Sequence, residues 1–391
     1  MPDRLNILFL PRWYPNRFDP MPGLFVKRHA LAVSRAARVF VIYVHPCPPG
    51  SLPEPQIEYN ENQDFTELCI YYNSLRGRFP GVHLLKGLHY YYWLAAGYRM
   101  MHKKGIRFSL VHVNILTRLG VFAMLLKAFS GTPYIITEHW SRYLPITNTY
   151  QGIVRKFLTR LSVRYAGAVT AVTENLKEAM MGHGLYNPVF VVIPNVVDTD
   201  FFTPSQSPAH AGKEKILLHV SCFEDKSKNI SGILKAIHTL AQKRNDFHFL
   251  MVGEGQDLAA MITLAENLGI SKKVTFTGLA EGSRLTGYFR QSLALVMFSH
   301  YENMPVVINE SFSCGTPVIA TRVGGIPEVV DESRGILVNP NDEPALCSAI
   351  ETILDHPERF CNGDIRQYAV QHFGSEAIAA QFLSLYKTVI R

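Results

Sequence analysis

Ser299–Val329 reads SHYENMPVVINESFSCGTPVIATRVGGIPEV, and its punctuation decides the fold. The apolar run from Leu293 to Phe298 just before it is short and well bounded, as a buried strand is. Pro305 stands where the first turn of a helix tolerates proline, and Gly315 is placed to end that helix. Thr316 to Ala320 reads as the next strand, Gly324-Gly325 as a loop, and Ile326-Pro327-Glu328 as the opening of another helix. Strand, loop, helix, strand, loop, helix is the repeat of an open parallel sheet in the α/β class. Ligands of such sheets sit at the carboxyl ends of the strands, where loops and helix N-termini converge. The amides around Asn303, Met304, Val306 and Val307 suit a phosphate. The carboxylates of Glu302 and Glu310 do not, but they suit the hydroxyls of sugars joined to that phosphate. The stretch therefore predicts a nucleotide-sugar pocket.

Glu302 and Glu310 stand as E-x7-E, followed by C-G-T-P-V-I-A and G-G-I-P-E. This combination resembles the family-4 retaining glycosyltransferases of GT-B fold. The resemblance implies two Rossmann-like β/α/β domains facing each other across a cleft, with a C-terminal helix returning to the first. On that pattern residues 1–195 form an acceptor-side domain, 196–374 a nucleotide-sugar domain, and 375–391 the returning helix. The resemblance places Glu302 on the donor sugar and Glu310 on the nucleotide ribose. Met304 and Val306 keep their amides, whereas Pro305 has none, which removes one donor contact.

Other matches follow the same family pattern. Pro194-Asn195-Val196-Val197-Asp198 and Phe202 resemble its inter-domain P-N-G-V-D-x-x-x-F, with valine in place of glycine. Lys228, before Asn229-Ile230 and an apolar helix, matches a lysine that reaches the donor phosphates. The arginine expected with it has no counterpart, because Ser221-Cys222-Phe223 fill its neighbourhood; Lys226 is the nearest substitute. Gly23 opens a helix after the first strand and corresponds to a glycine loop facing the donor, where no Cβ obstructs a pyrophosphate. His139 follows a strand's carboxyl end, a position that faces a ligand crevice; in the family it lies near the reacting centre. Gly253 ends a strand in Gly253-Glu254-Gly255, but Leu258 breaks the dinucleotide fingerprint. Leu279 follows a strand whose backbone, in the family, lines the nucleotide base.

Length and composition agree with this frame. The 391 residues suit two domains of nearly 200, and 47% hydrophobic residues supply two cores. The six cysteines show no C-x-x-C pair or metal-ligand rhythm, which points to reduced thiols in a cytoplasmic protein with no metal site. The amino terminus runs quickly into Ile7-Leu8-Phe9-Leu10, a first buried strand rather than a signal peptide. The net charge of +7 hides an asymmetry. Residues 68–173 hold fourteen Lys or Arg and one acid, Glu138, giving +13 and leaving −6 for the remainder. An anionic partner would meet the basic half: a lipid-linked acceptor, or the inner face of the cytoplasmic membrane, to which the protein would be peripheral.

In that half, Val39 to Val44 reads as a strand and Pro46 to Pro55 as a loop. Residues 83–104 read as a core helix, with an interfacial helix as the competing view; the uncharged run Gly87 to Tyr98 falls short of the roughly 20 residues a membrane span needs. Gln151 to Tyr165 reads as an amphipathic helix, Ile153, Val154, Phe157, Leu158 and Leu161 on one face and Lys156, Arg160 and Arg164 on another. Leu110–Val113, Tyr134–Thr137 and Ala168–Val172 are further strands, and Thr203–Lys213 is a surface linker.

The reading is thus a metal-independent, cofactor-free hexosyltransferase of cell-surface polysaccharide synthesis. It takes a UDP-sugar, or a GDP-sugar, as donor and a glycan or lipid-linked glycan as acceptor, with no nucleic-acid partner. Glu302, His139 and Lys228 are its catalytic candidates. Gly23, Lys228, Gly253, Leu279, Asn303, Met304, Val306, Val307 and Glu310 are its donor-binding candidates. The competing readings are a GT-B-fold nucleotide-sugar epimerase, which needs a further acid and base, and a non-catalytic sugar-nucleotide-binding subunit.

Overall fold

The computed structural model describes residues 4–77, 81–116, 118–205 and 215–390, so linker residues 206–213 lie outside it. Two compact units form. Unit 1 comprises Met1–Val172, Lys177–Ile193 and Ile378–Arg391; unit 2 comprises Thr173–Leu176 and Pro194–Ala377.

Unit 1 contains strands β1 (Asn6–Pro11), β2 (Arg38–Cys47), β3 (Gln56–Glu61), β4 (Phe65–Asn73), β5 (Leu110–Asn114), β6 (Tyr134–Glu138), β7 (Ala168–Ala171) and β8 (Phe190–Val192). They pair in the order β3-β4-β2-β1-β5-β6-β7-β8, all parallel except the antiparallel edge strand β3. Ile7 to Leu10 are fully buried, the continuous apolar run expected of a strand covered on both faces. Helices α1 (Leu24–Ser34), α2 (Val82–Lys103), α3 (Arg118–Ser130), α4 (Ile153–Tyr165) and α5 (Glu174–Gly182) connect the strands. A polar seam crosses the sheet: His112 Nε2 shares a hydrogen bond of 2.6 Å with Thr137 Oγ1, and Thr137 one of 2.6 Å with Thr170 Oγ1. The other ring nitrogen of His112 meets the Tyr386 hydroxyl at 2.8 Å. Burial, reinforced by the neighbouring His29, holds the His112 pKa well below the ordinary histidine value.

Three local readings change. The hairpin of β3 and β4 went unread, because QIEYNE lacks a clean apolar alternation and Glu67 interrupts β4. In α2 the buried residues are Val82, Leu94, Gly97 and Met101, whereas Leu84, Leu88 and Tyr92 are exposed. Only part of this helix is therefore core. In α4 the expected apolar face is turned outward, with Ile153 88% and Phe157 60% exposed, and the helix buries Thr159, Ser162 and Val163. Small residues let α4 lie close to α3: a Cβ added at Gly120 would meet the Ser162 Cβ at 3.0 Å.

Unit 2 runs β9 (Lys215–Val220), α6 (Asp225–Lys228), α7 (Ile230–Ala241), β10 (Phe247–Val252), α8 (Leu258–Asn267), β11 (Val274–Gly278), α9 (Gly282–Gln291), β12 (Ala294–Met297), α10 (Val306–Ser313), β13 (Val318–Thr321), β14 (Gly335–Val338), α11 (Glu343–Asp355) and α12 (Asn362–Phe373). α13 (Ser375–Ile390) follows, with Ile378 onward belonging to unit 1. The sheet is parallel throughout, ordered β11-β10-β9-β12-β13-β14. Gly315 stops α10 as expected, at φ 75°. Ile326–Glu328 is a single 3-10 turn and not the start of a helix. The Glu328 carboxylate instead accepts the amides of Glu174 and Asn175 at 2.8 Å each, capping α5 from outside. No helix among the described residues is long and apolar enough to cross a membrane.

Candidate active site

The strand order of unit 2 reverses between β9 and β12, because the chain builds outward to β11 and then returns to the other side of β9. That reversal leaves a crevice at the carboxyl ends of the two strands, the place where open α/β sheets take ligands. The loop after β9 carries Lys228, and the loop after β12 carries Glu302. Asn229 sits in the left-handed region at φ 50°, and its Oδ1 accepts the Gly232 amide at 3.2 Å, which ends α6 and starts α7. Lys228 Nζ then donates to Glu302 Oε1 at 2.5 Å, and the Ser299 hydroxyl donates to the same oxygen at 2.9 Å. Burial works against the charged lysine, but the Glu302 carboxylate outweighs it and raises the Lys228 pKa above its ordinary value. The His300 amide donates to the Ser227 carbonyl at 2.9 Å, tying the two loops together.

The segment after Glu302 is held on all sides. Thr173 Oγ1 donates to Asn303 Oδ1 at 3.0 Å, the Gly325 amide to the Asn303 carbonyl at 2.9 Å, and Asn195 Nδ2 to the Met304 carbonyl at 3.1 Å. Asn309 Nδ2 in turn donates to the Asn195 carbonyl at 2.8 Å. Pro305 is the N-cap of α10, one position earlier than the helix's first residue, and Val306 and Val307 begin the first turn. Amides of a first turn have no intrahelical acceptor, so this end of α10 is electropositive. Gly324, at φ 55°, lies against the Glu302 backbone; a Cβ there would stand 1.9 Å from the Glu302 carbonyl oxygen. Glu310 is buried in α10, 4% exposed. Gly253 ends β10 at φ 137°, where a Cβ would collide with the Ser221 carbonyl at 1.9 Å, and Leu279, 41% exposed, follows β11.

Unit 1 holds the other two candidates. Gly23, at φ 71°, is the N-cap of α1, and its missing Cβ would lie 2.1 Å from the Trp13 carbonyl oxygen. His139 follows β6 as expected, but its ring is largely covered, with Phe25 4.7 Å and His29 5.3 Å away between ring centroids. Beside it, Glu138 is fully buried and accepts the amides of Leu116, His139 and Trp140 at 2.8, 2.9 and 2.8 Å. Burial pushes its pKa up to about 7, against the pull of those three amides. Unit 2 thus brings Lys228, Glu302, Asn303 and Met304 into one hydrogen-bonded cluster. Asn195, read as part of the inter-domain motif, completes it with Ser299 and Thr173, which carry no sequence signal of their own.

Two family models match consecutive parts of the chain: "Glycosyltransferase Family 4" over residues 26–201 and "Glycosyl transferases group 1" over 200–369. The chain belongs to the family-4 glycosyltransferases of GT-B fold. Among relatives, it is 28% identical to N-acetyl-alpha-D-glucosaminyl L-malate synthase of Bacillus anthracis, over 60% of this chain and 63% of that protein. It is 25% identical to D-inositol 3-phosphate glycosyltransferase of Corynebacterium jeikeium, over 73% of each. A sucrose-phosphate synthase of Thermosynechococcus elongatus shares the fold, with a TM-score of 0.74, 22% identity and 98% of each chain covered. So does the Anabaena protein HepE in complex with UDP, with a TM-score of 0.70, 17% identity and 97% of this chain and 99% of that one covered.

Proposed function

We propose that the protein is a retaining glycosyltransferase that moves a hexose from a nucleotide-diphosphate sugar, a UDP-sugar by preference and a GDP-sugar as the other candidate, to a glycan or lipid-linked glycan of cell-surface polysaccharide. The observation that carries this reading is the Lys228–Glu302 pair at the sheet's switch point, beside the N-terminus of α10. Lys228 has three N–H donors and spends one on Glu302, leaving the others for donor phosphate oxygens. As the glycosidic C–O bond breaks, negative charge grows on the departing diphosphate, and Lys228 with the amides of Met304, Val306 and Val307 stabilises it. These groups take the place of a divalent cation. The second Glu302 oxygen is then the acceptor for a sugar hydroxyl, Glu310 for the ribose, and His139 orients the reacting end. Leu279, after β11, offers its backbone to the nucleotide base, whereas the missing Cβ atoms of Gly23 and Gly253 make room for the carbonyls of Trp13 and Ser221. The acceptor oxygen attacks the anomeric carbon on the face the diphosphate leaves, and the departing phosphate oxygen takes its proton.

Incubation with a panel of UDP- and GDP-sugars tests the reading. Slow donor hydrolysis without acceptor, and faster donor consumption with the sugar transferred when an acceptor glycan is added, is the expected result. An isomerised donor would instead identify an epimerase, and binding without turnover a non-catalytic subunit.

A peripheral membrane site at the inner leaflet forms part of this proposal. Ile153, Val154 and Phe157 are exposed on α4 next to Lys156 and Arg160, a pattern suited to the interface of an anionic bilayer. The expected behaviour is flotation with phosphatidylglycerol vesicles, reduced severalfold by Ile153→Ser/Phe157→Ser and by high salt. Equal flotation of the double variant would remove this part of the reading.

A further inference from the structure

A cavity of about 570 Å³ opens in unit 1. Arg12 and Trp13 reach it from the loop after β1, Arg142 from the loop after β6, and Tyr90 from α2. Arg118 enters as the first residue of α3, and Arg155 from the first turn of α4. Four guanidinium groups therefore converge on one space, and its described lining contains no Asp or Glu.

Stability alone does not account for this placement. Arg118 and Arg155 occupy the first turns of two helices that carry no acid there, so each cation sits at the positive end of a helix dipole. Arg12 and Arg142 are half-buried, and both pKa values are lowered, by burial first and also by neighbouring arginines, against the opposing pull of Glu138 and of Tyr90 on Arg12 and Tyr143 on Arg142. Trp140 holds these two together: the Arg142 guanidinium carbon lies 3.4 Å from its ring centroid and that of Arg12 5.0 Å. Arg142 Nε is buried with no hydrogen-bond partner among the described residues. The acid nearest in sequence, Glu138, is turned to three backbone amides. Exposed arginines are individually cheap, since water screens them. Four on one cavity, two of them against a dipole and one with a buried donor unmet, form an anion receptor.

We propose that this cavity is an acceptor anion site, in which Arg12, Arg118, Arg142 and Arg155 receive a phosphate or diphosphate carried by the acceptor sugar or by the lipid on which it is built. The word acceptor rests on the proposed transfer reaction; the anion site does not. A phosphate group fits better than a carboxylate, because a lone carboxylate would neutralise only one of four cations, whereas phosphate brings two charges and three acceptor oxygens to forked donors. Trp13 and Tyr90 supply ring faces beside the charge, suited to the apolar face of a sugar.

The protein has three tryptophans, and two of them, Trp13 and Trp140, flank this cluster, so intrinsic fluorescence is a local readout. The full chain is titrated with inorganic phosphate, with sn-glycerol 3-phosphate, and with phosphatidylcholine vesicles with and without phosphatidylglycerol. The same titrations are run on Arg118→Gln/Arg155→Gln, whose two sites are exposed, with its melting temperature checked. The expected result is a saturable fluorescence change with the soluble phosphates that weakens at least tenfold in the double variant. A change seen only with phosphatidylglycerol vesicles, and lost in the variant, equally supports the site and assigns its phosphate to a lipid headgroup. No change with any probe, or equal affinity in the variant, overturns it. Hydrolysis of UDP-sugars is measured in parallel in both forms. If neither form hydrolyses any donor while phosphate still binds, the transferase reading fails and the anion site stands.

Discussion

Glu302→Gln is expected to lower donor hydrolysis and transfer by about 10³-fold while leaving the fold in place. The substitution keeps size and shape but removes the charge that Lys228 and Ser299 share at 2.5 and 2.9 Å. Loss of one preorganised electrostatic contact at a reacting centre costs roughly 10² to 10³ in rate, and here the same change also unpairs the neighbouring cation. Stranding one member of a buried pair costs roughly 3 kcal/mol, less whatever water recovers. The side chains are 17% and 9% exposed, so little is recovered. A second variant separates chemistry from stability. Lys228→Met/Glu302→Gln removes the stranded charge, so its thermal midpoint should return toward wild type while its activity stays lost. Wild-type turnover by Glu302→Gln would remove Glu302 from the mechanism.

Gly324→Ala should be among the most damaging single-methyl changes in unit 2. Its φ of 55° costs an L-residue about 1 kcal/mol. The larger effect is steric: the new Cβ would lie 1.9 Å from the Glu302 carbonyl oxygen, a backbone atom with no rotamer to move to. The strand of chain bearing Glu302 must shift, and with it the bond from the Gly325 amide to the Asn303 carbonyl. We expect a total loss of about 3 kcal/mol and donor affinity weakened at least tenfold, read by thermal melting and by UDP titration. Gly287→Ala is the control. It lies inside α9 with nothing within 4 Å of the added methyl, and should raise stability by about 0.5–1 kcal/mol. If the two variants behave alike, loop geometry does not hold the site.

What could be read from the chain was whatever its signals encode locally. Leu293 to Ala320 announces its strands and helix because Pro305 and Gly315 mark the two ends of α10 within ten residues, and the apolar runs between them are short. Lys228 is placed by resemblance to the family pattern and not by local punctuation; the structure sets it against Glu302. Signals failed where tertiary packing decides. The 3.6-residue periodicity of α4 correctly gives a helix, but α3 offers it a close surface that admits Ser162 and not Phe157, so the apolar side faces out. Ile326-Pro327-Glu328 has the residues of a helix start, yet Glu328 is committed to amides 154 and 153 positions away. Ser299 and Thr173 are ordinary polar residues until folding brings them to Glu302 and Asn303. No short-range pattern could have singled them out.

The bond between His112 and Tyr386 has a consequence for the making of the protein. Its partners are 274 positions apart, so His112 waits for the Tyr386 hydroxyl long after its other partners, Thr137 and through it Thr170, have been synthesised. At 5–20 residues per second, this is a wait of roughly 15 to 55 s. Through that interval His112 lacks the Phe382 and Tyr386 rings that pack against it in the finished protein.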